Sequence, residues 1–87
     1  MVGEGYPNPF NPTVTIPFTI AKAGVVEVRV INTLGQTLYQ SRQDYAAGDH
    51  NFIFDSNTQL RSPVSGFYFV ALRYAGHTQI RKVLLVR

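Results

Sequence analysis

The chain has 87 residues, 45% of them hydrophobic and none of them cysteine, so one small domain must fold by apolar burial without disulfides or cysteine-ligated metals. No apolar run approaches the roughly 18 residues of a transmembrane segment, and the start of the chain lacks the basic and then apolar pattern of a signal peptide. The charge is −2 over residues 1–55 and +5 over residues 56–87, but no motif of RNA or DNA recognition accompanies the basic part, which argues against a nucleic-acid partner.

The chain begins with two short segments that have no helical pattern. Residues 1–5 predict an upstream linker or an expression remnant, to which a cargo domain would be covalently linked. The next segment, which we call the clasp, consists of Tyr6, Pro7, Asn8, Pro9, Phe10, Asn11 and Pro12. Its prolines fix φ and disfavour the α region in the residues before them, and its asparagines are suited to hold bends. We therefore expect a rigid, extended lead-in without catalytic groups, with Phe10 inserted into the core.

Alternation of apolar and polar residues predicts six β-strands along the rest of the chain. They cover residues 13–20, 25–31, 37–42, 51–55, 66–74 and 78–87. Pro17 lacks an amide hydrogen, which places the first strand at a sheet edge or turns the proline away from the ladder. Residues 66–74 are bulky and apolar on both faces, which is typical of a central strand. In the third strand, Leu38 is expected to face inward and Tyr39 to be half-exposed.

The connections between these strands contain turn-forming residues. Gly35 and Gly48 are expected to adopt positive φ, and Leu34 to fold under the turn that contains Gly35. Residues 56–65 form the longest polar stretch, with the length that a crossover between two sheets needs. Ala75, Gly76 and His77 predict a hairpin turn before the last strand.

These elements predict an all-β fold, a small antiparallel immunoglobulin-like β-sandwich of about seven strands that forms a single domain over residues 6–87. The likeness to immunoglobulin domains concerns layout only. Their paired cysteines and core tryptophan are missing, because the chain contains neither residue type.

Candidate residues for catalysis or metal binding are few. His50 and His77 are the only histidines, and neither has partners at the spacing of a zinc site. No serine lies in a nucleophile-elbow pattern, and the aspartates lack the alternation of a calcium loop. The sequence therefore predicts no enzyme activity, no metal site and no cofactor. Flat tyrosine rings suggest a sugar-binding platform, although half-buried tyrosines of a thin sandwich explain them more simply. These are Tyr39, Tyr45 and Tyr74.

Several motifs occur in an order that resembles a known family. They are the clasp, Asn32-Thr33-Leu34-Gly35-Gln36, Ala47-Gly48-Asp49-His50, Ser65-Gly66-Phe67-Tyr68-Phe69-Val70 and the closing Arg81-Lys82-Val83-Leu84-Leu85-Val86-Arg87. From Tyr6 to Arg87 the chain is similar to the type A C-terminal sorting domain of the type IX secretion system of Bacteroidetes-type bacteria. Two features depart from that family. Phe54 stands where tryptophan is common, and the loop before Gly66 is longer than the usual Leu-Pro-Ser-Gly.

The resemblance implies a β-sandwich that acts as a passive, non-catalytic signal. Its partners would be the secretion machinery and a surface sortase, and its cargo would pass through the periplasm to the outer-membrane surface or the extracellular space. The residues that match the family's recognition elements are Gly66 and Tyr68 of the Gly-x-Tyr motif, with Lys82 and Arg87 of the terminal strand. An open edge on that strand, with cations beside apolar residues, suggests recognition by addition of a partner's strand.

Two other hypotheses remain open from the sequence. One is an accessory carbohydrate-binding module of an extracellular glycoside hydrolase, and the other is a structural spacer of the kind found in adhesins. Sorting domains lie at the extreme C-terminus of their proteins, whereas binding modules and spacers occur anywhere.

Overall fold

The computed structural model describes residues 1–87 and contains six β-strands and one short helix. The elements are β1 Thr13–Ile20, β2 Gly24–Ile31, β3 Thr37–Tyr45, β4 Gly48–Asp55, α1 Ser56–Gln59, β5 Gly66–Tyr74 and β6 His77–Leu85. β1 and β4 form an antiparallel two-stranded sheet, and the other strands form an antiparallel four-stranded sheet in the order β3-β2-β5-β6. The predicted all-β, antiparallel architecture is confirmed, with six strands instead of about seven.

One core lies between the two sheets, because successive side chains of a strand point to opposite faces and every strand except β3 turns fully buried apolar side chains inward. The core residues are Val2, Phe10, Val14, Ile16, Phe18, Ile20, Val26, Val28, Val30, Phe52, Phe54, Leu60, Tyr68, Val70, Leu72, Val83 and Leu85. β5 is an interior strand between β2 and β6, as its apolar sequence predicts.

Residues 1–12 form an N-terminal arm that closes one side of the sandwich. The first residues of the arm run antiparallel along β1, where the Gly3 N–H donates to the carbonyl of Pro17 over 2.8 Å. Pro17 takes part in this pairing only through its carbonyl, so its missing amide hydrogen leaves no bond unmade there. Val2 lies in the core with 8% of its surface exposed. Residues 1–5, for which the sequence predicts a linker, thus pack as part of the sandwich.

The clasp carries the arm from β1 across to β6. There, Phe10 pairs in parallel with Leu85. The Phe10 ring is 2% exposed and its centroid lies 5.6 Å from that of Phe54, so the expected insertion into the core is observed. Tyr6, the other aromatic residue of the clasp, is 56% exposed, so its ring does not anchor the clasp, but its N–H and carbonyl pair with Thr15 over 2.9 and 2.8 Å.

The glycine turns are as expected, but the leucine beside one of them is not. Gly35 has a φ of +83° and Gly48 a φ of +121°, in the region that favours glycine. The Asn32 side chain closes the first turn by accepting from the N–H groups of Leu34 and Gln36, each over 3.0 Å. The Leu34 side chain is 82% exposed, so the prediction that it folds under the turn is wrong. The hydrogen bonds of Asn32 hold the turn instead.

β3 places Tyr39 as expected but not Leu38. Tyr39 is half-buried and packs against the core, whereas Leu38, which was expected to face inward, is 40% exposed, so that prediction is wrong. The pairing with β2 sets this orientation, because Tyr39 lies opposite Val30, whose side chain points into the core. The neighbouring Leu38 therefore points outward, and it is also the extra residue of a bulge, since Thr37 is the residue that pairs with Ile31.

The polar stretch of residues 56–65 crosses from β4 in one sheet to β5 in the other, as predicted. It begins with the four-residue helix α1, which the sequence analysis did not anticipate. The Asp55 carboxylate caps this helix by accepting from the Asn57 N–H over 2.9 Å. The hairpin between β5 and β6 is a two-residue turn in which Ala75 and Gly76 both have positive φ, which suits the twist of paired strands.

Candidate recognition site

The residues singled out by the sequence lie at one end of the β5–β6 pair. Gly66 is the first residue of β5 and pairs with Leu85, near the end of β6. Tyr68 follows two positions later on the inner face, and Arg87 lies just beyond the end of β6. Antiparallel pairing therefore brings together positions that are about twenty residues apart in the chain.

Tyr68 is a buried residue that shapes its surroundings. Its side chain is 4% exposed, and its ring meets that of Phe54 at a centroid distance of 6.2 Å. The Tyr68 hydroxyl donates to the carbonyl of Val64 over 2.6 Å. The phenol thus ties the end of the crossover loop to the core, and it presents no surface to a partner.

Arg87 and Gly66 complete the hold on this loop. The Arg87 N–H donates to the Ser65 hydroxyl over 2.9 Å, and its guanidinium donates to the carbonyl of Pro63. Gly66 has a φ of +149°, and no atom lies within 4 Å of the place where a Cβ would stand. Backbone conformation, and not lack of space, therefore favours glycine at this position. Three of the four predicted residues converge on the loop of residues 63–65.

Lys82 lies apart from that loop, on the solvent face of the four-stranded sheet. It pairs with Phe69 of β5, and its ammonium nitrogen lies 4.8 Å from the centroid of the Phe67 ring. A cation at this distance over an aromatic face is attracted by the ring quadrupole. The predicted set is therefore divided between the loop and this neighbouring face.

A family model described as "Secretion system C-terminal sorting domain" matches residues 4–86. The chain belongs to the C-terminal sorting domains of the type IX secretion system. Such a domain is a tail linked to a cargo and recognised by the secretion machinery, and the cargo is a secreted, outer-membrane or cell-surface protein. A search among curated proteins finds no match to the chain.

The terminal strand of this sorting domain has no open edge along its second half. The Asn8 side chain pairs with it as a peptide group would, accepting from the Leu84 N–H over 2.9 Å and donating to the carbonyl of Lys82 over 3.2 Å. The Phe10 backbone continues the ladder, donating to the carbonyl of Leu84 and accepting from the Val86 N–H. The interpretation of β6 as a free edge for strand addition is therefore wrong between Lys82 and Val86.

Asn8 and Arg81 are structural residues whose roles the sequence analysis missed. We expected Asn8 to hold a local bend and Arg81 to contribute positive potential. Arg81 instead donates to the carbonyls of Val2 and Gly3, and its side chain lies 3.6 Å from the Glu4 carboxylate. No local pattern could reveal these contacts, because the partners lie more than seventy residues apart in the chain.

The tyrosines of the sorting domain do not form an exposed platform. Tyr39, Tyr45 and Tyr74 each pack against the core. The Tyr74 hydroxyl also donates to the carbonyl of Lys22 over 2.7 Å. The three rings that suggested a carbohydrate-binding module are therefore partly buried, and their hydroxyls are hydrogen-bonded or solvated.

Tyr45 lies in an aromatic cluster at the end of β3. Its ring meets Phe18 edge-on at a centroid distance of 5.1 Å and lies 4.8 Å from the His50 ring. Burial, together with the nearby phenol of Tyr39, raises the pKa of the Tyr45 hydroxyl above its ordinary value of 10.0. The His50 Nε2 atom lies 2.6 Å from the carbonyl of Ala46, so this histidine has a partner in the turn.

No group of three or more His, Cys, Asp or Glu side chains comes together with the geometry of a metal site. The only helix, α1, is four residues long, and no helix of the structure is long and apolar enough to cross a membrane.

Proposed function

We propose that this domain is a sorting signal without catalytic activity of its own, which directs a linked cargo across the outer membrane to the cell surface. The observation that carries the proposal is the match to the sorting-domain family over residues 4–86. A surface sortase acts on the domain after transit through the periplasm. We assign the signal to the sandwich of residues 6–87, along which residues 1–5 pack.

Within this proposal the recognition residues have two kinds of role. Tyr68 and Gly66 fix the shape of the loop of residues 63–65, the first through its hydroxyl and the second through its backbone conformation. Lys82 and Arg87 are exposed and present their charges to the machinery, and Arg87 also holds the loop through its bonds to Ser65 and Pro63. Positive side chains of this kind steer an acidic partner toward the site.

A reporter fusion tests the sorting function. Residues 1–87 are fused to the C-terminus of a fluorescent protein that is targeted to the periplasm, in a host with the type IX system and in an isogenic host without its outer-membrane translocon. We expect reporter at the cell surface or in the medium only in the competent host. Retention in the periplasm of the competent host contradicts the proposal.

Point variants test the assigned contact residues better than truncation does. Deleting residues 82–87 removes Val83 and Leu85 from the core, where they are 1% and 0% exposed, so loss of export would reflect unfolding. Lys82→Ala and Arg87→Ala keep the core and are expected to lower export about tenfold, the effect of one good charged contact. Arg61→Ala, at an exposed arginine in the crossover, is the matched control. Equal export of all three variants would refute these contacts but not the sorting function.

A further inference from the structure

The two solvent-facing sides of the sandwich differ in chemistry. The outer face of the β1–β4 sheet carries mainly threonines and acidic or amide side chains, with one apolar aliphatic residue, Ile53. Its members are Thr13, Thr15, Pro17, Thr19, Asp49, Asn51, Ile53 and Asp55. This is the composition of a sheet face that is simply solvated.

The outer face of the four-stranded sheet is apolar over the half nearest Gly66. We call this half the apolar face, and it consists of Ile31, Phe67, Phe69, Ala71, Ile80 and Leu84. Cross-strand pairing makes the set contiguous, because Phe67 faces Leu84, Ile31 faces Phe69 and Ala71 faces Ile80. Phe67 is 45% and Ile80 53% exposed, whereas the other members are half-buried or, in the case of Ala71, covered by their neighbours. Single exposed apolar residues are ordinary on a protein surface, whereas a joined group marks an interaction site.

Four cations lie beside this apolar face or in the next row of the sheet. Lys82 lies beside Phe69 and over the Phe67 ring, and Arg29 lies beside Ala71. The next row of the sheet contains Arg42 and Arg73 on either side of Glu27. When Asp44 is included, the outer face of the four-stranded sheet carries four cations and two carboxylates, so its net charge is positive. The outer face of the β1–β4 sheet carries only the carboxylates of Asp49 and Asp55.

No other part of the chain covers the apolar face. The N-terminal arm lies along the edge of β6, where it is held by main-chain bonds at Leu84 and Val86, and does not extend over the sheet. Phe67 and Ile80 therefore remain exposed in the folded domain, although their β-strand positions would accept polar residues at little cost.

We propose that the apolar face docks onto a protein of the secretion machinery, on a surface with apolar side chains flanked by carboxylates. This inference rests on the proposed sorting function and extends its recognition site from the loop to the sheet. The positive rim selects an acidic partner by charge complementarity. A protein partner is favoured over an anionic lipid surface because Glu27 lies between the two arginines, where it opposes phosphate groups and suits a partner of mixed charge.

The reporter fusion tests the docking face with two kinds of variant. Phe67→Ser combined with Ile80→Ser removes the exposed apolar side chains, and Arg73→Glu reverses one rim charge without touching the core. Ile53→Ser, which removes a 48% exposed side chain from the opposite face, is the matched control. We expect export to fall about tenfold or more in the first two variants, as for central contacts of an interface, and to stay within about twofold in the control. The variants must retain the circular dichroism spectrum of the parent chain, and Arg73→Glu decides the test if the double variant unfolds.

The outcomes separate this inference from the proposed function. Failure of the parent fusion to leave the periplasm refutes the sorting function itself. Normal export of the parent and of both face variants overturns the docking face alone. Two results on the purified chain would also overturn the inference. A dimer in sedimentation that Phe67→Ser abolishes would show that a second copy of the chain covers the face. Flotation with phosphatidylglycerol vesicles that Phe67→Ser abolishes would show that a lipid surface does.

Discussion

Phe10 joins the N-terminal arm to the rest of the molecule through both its side chain and its backbone. The ring is almost completely buried against Phe54, while the N–H and carbonyl pair with residues at the end of β6. The side chain thus inserts at the same point where the backbone completes the sheet. The other residues of the clasp bring Phe10 to this position.

Replacing Phe10 by alanine should lower the free energy of unfolding by about 2–4 kcal/mol, because a buried aromatic ring is lost and a cavity remains. Urea denaturation of the purified chain measures this change. Tyr6→Ala in the same clasp is the control, and little effect is expected because the Tyr6 ring is mostly exposed. A Phe10 variant as stable as the Tyr6 variant would show that the clasp is only a tether.

The raised pKa of the Tyr45 hydroxyl predicts a loss of stability in alkali. A phenol whose pKa is higher in the folded than in the unfolded chain binds its proton more tightly when folded, so folding is favoured below pH 10.0 and this contribution is lost as the pH rises above it. Thermal unfolding between neutral pH and the strongly alkaline range should show a smaller decline in Tyr45→Phe than in the parent chain. Tyr6→Phe, at an exposed phenol, is the control. Identical profiles for the parent and Tyr45→Phe would contradict the prediction.

At the scale of the elements, β6 is an edge strand whose outer side is already paired from Lys82 onward. Asn8 supplies a donor and an acceptor to this edge, and the Phe10 backbone supplies another pair. Unpaired edges promote association between chains, so the arm protects the domain from such association as well as stabilising it. Recognition through strand addition at this edge would first require the arm to leave.

Replacing Asn8 by alanine should expose this edge locally. The Leu84 N–H loses its acceptor, so its hydrogen exchange should accelerate by about tenfold or more, in line with a cost of about 1–2 kcal/mol for the missing bonds. Amide exchange followed by NMR measures this directly. Asn11→Ala, at an exposed asparagine that also precedes a proline, serves as the control. Unchanged protection of Leu84 in the Asn8 variant would show that the side-chain pairing does not form.

For the whole molecule, the structure makes residues 1–5 part of the sandwich. Val2 fills the core between β1 and β6, and Arg81 holds the carbonyls of Val2 and Gly3. A domain of 87 residues buries a limited apolar surface, so one further buried valine is a large share of its stability.

Replacing residues 1–5 by glycine and serine should therefore destabilise the domain by about 2 kcal/mol or more, the value of one buried aliphatic side chain with its neighbouring hydrogen bonds. Val2→Ser alone should cause much of this loss, whereas Val25→Ser, at a 40% exposed position, should not. Urea denaturation of the three variants measures the difference. Unaltered stability after replacement of all five residues would restore the linker interpretation.

The strand positions, the turn glycines and the inward faces of β1 and β2 follow from the sequence alone, because each depends on neighbours within a few residues. A strict alternation of apolar side chains can bury only one face, and Gly35 and Gly48 lie where positive φ is required. The ordered motifs also sufficed to indicate the sorting-domain family. The resemblance named Gly66, Tyr68, Lys82 and Arg87 as recognition residues, a role that stays a prediction, and the structure supplied their positions around the β5–β6 pair.

Only the tertiary structure decided which edges and faces remain available. The pairing of Tyr39 with Val30 turned Leu38 outward, and Asn8 closed part of the edge of β6 across 76 residues of chain. The division of the predicted recognition residues into a buried tyrosine and exposed cations, and the contrast between the two outer faces, also required the paired sheets. The physical reason is common to all of these features. Local alternation specifies which side chains are apolar, whereas contacts between distant segments determine which of them, and which backbone groups, are left for a partner.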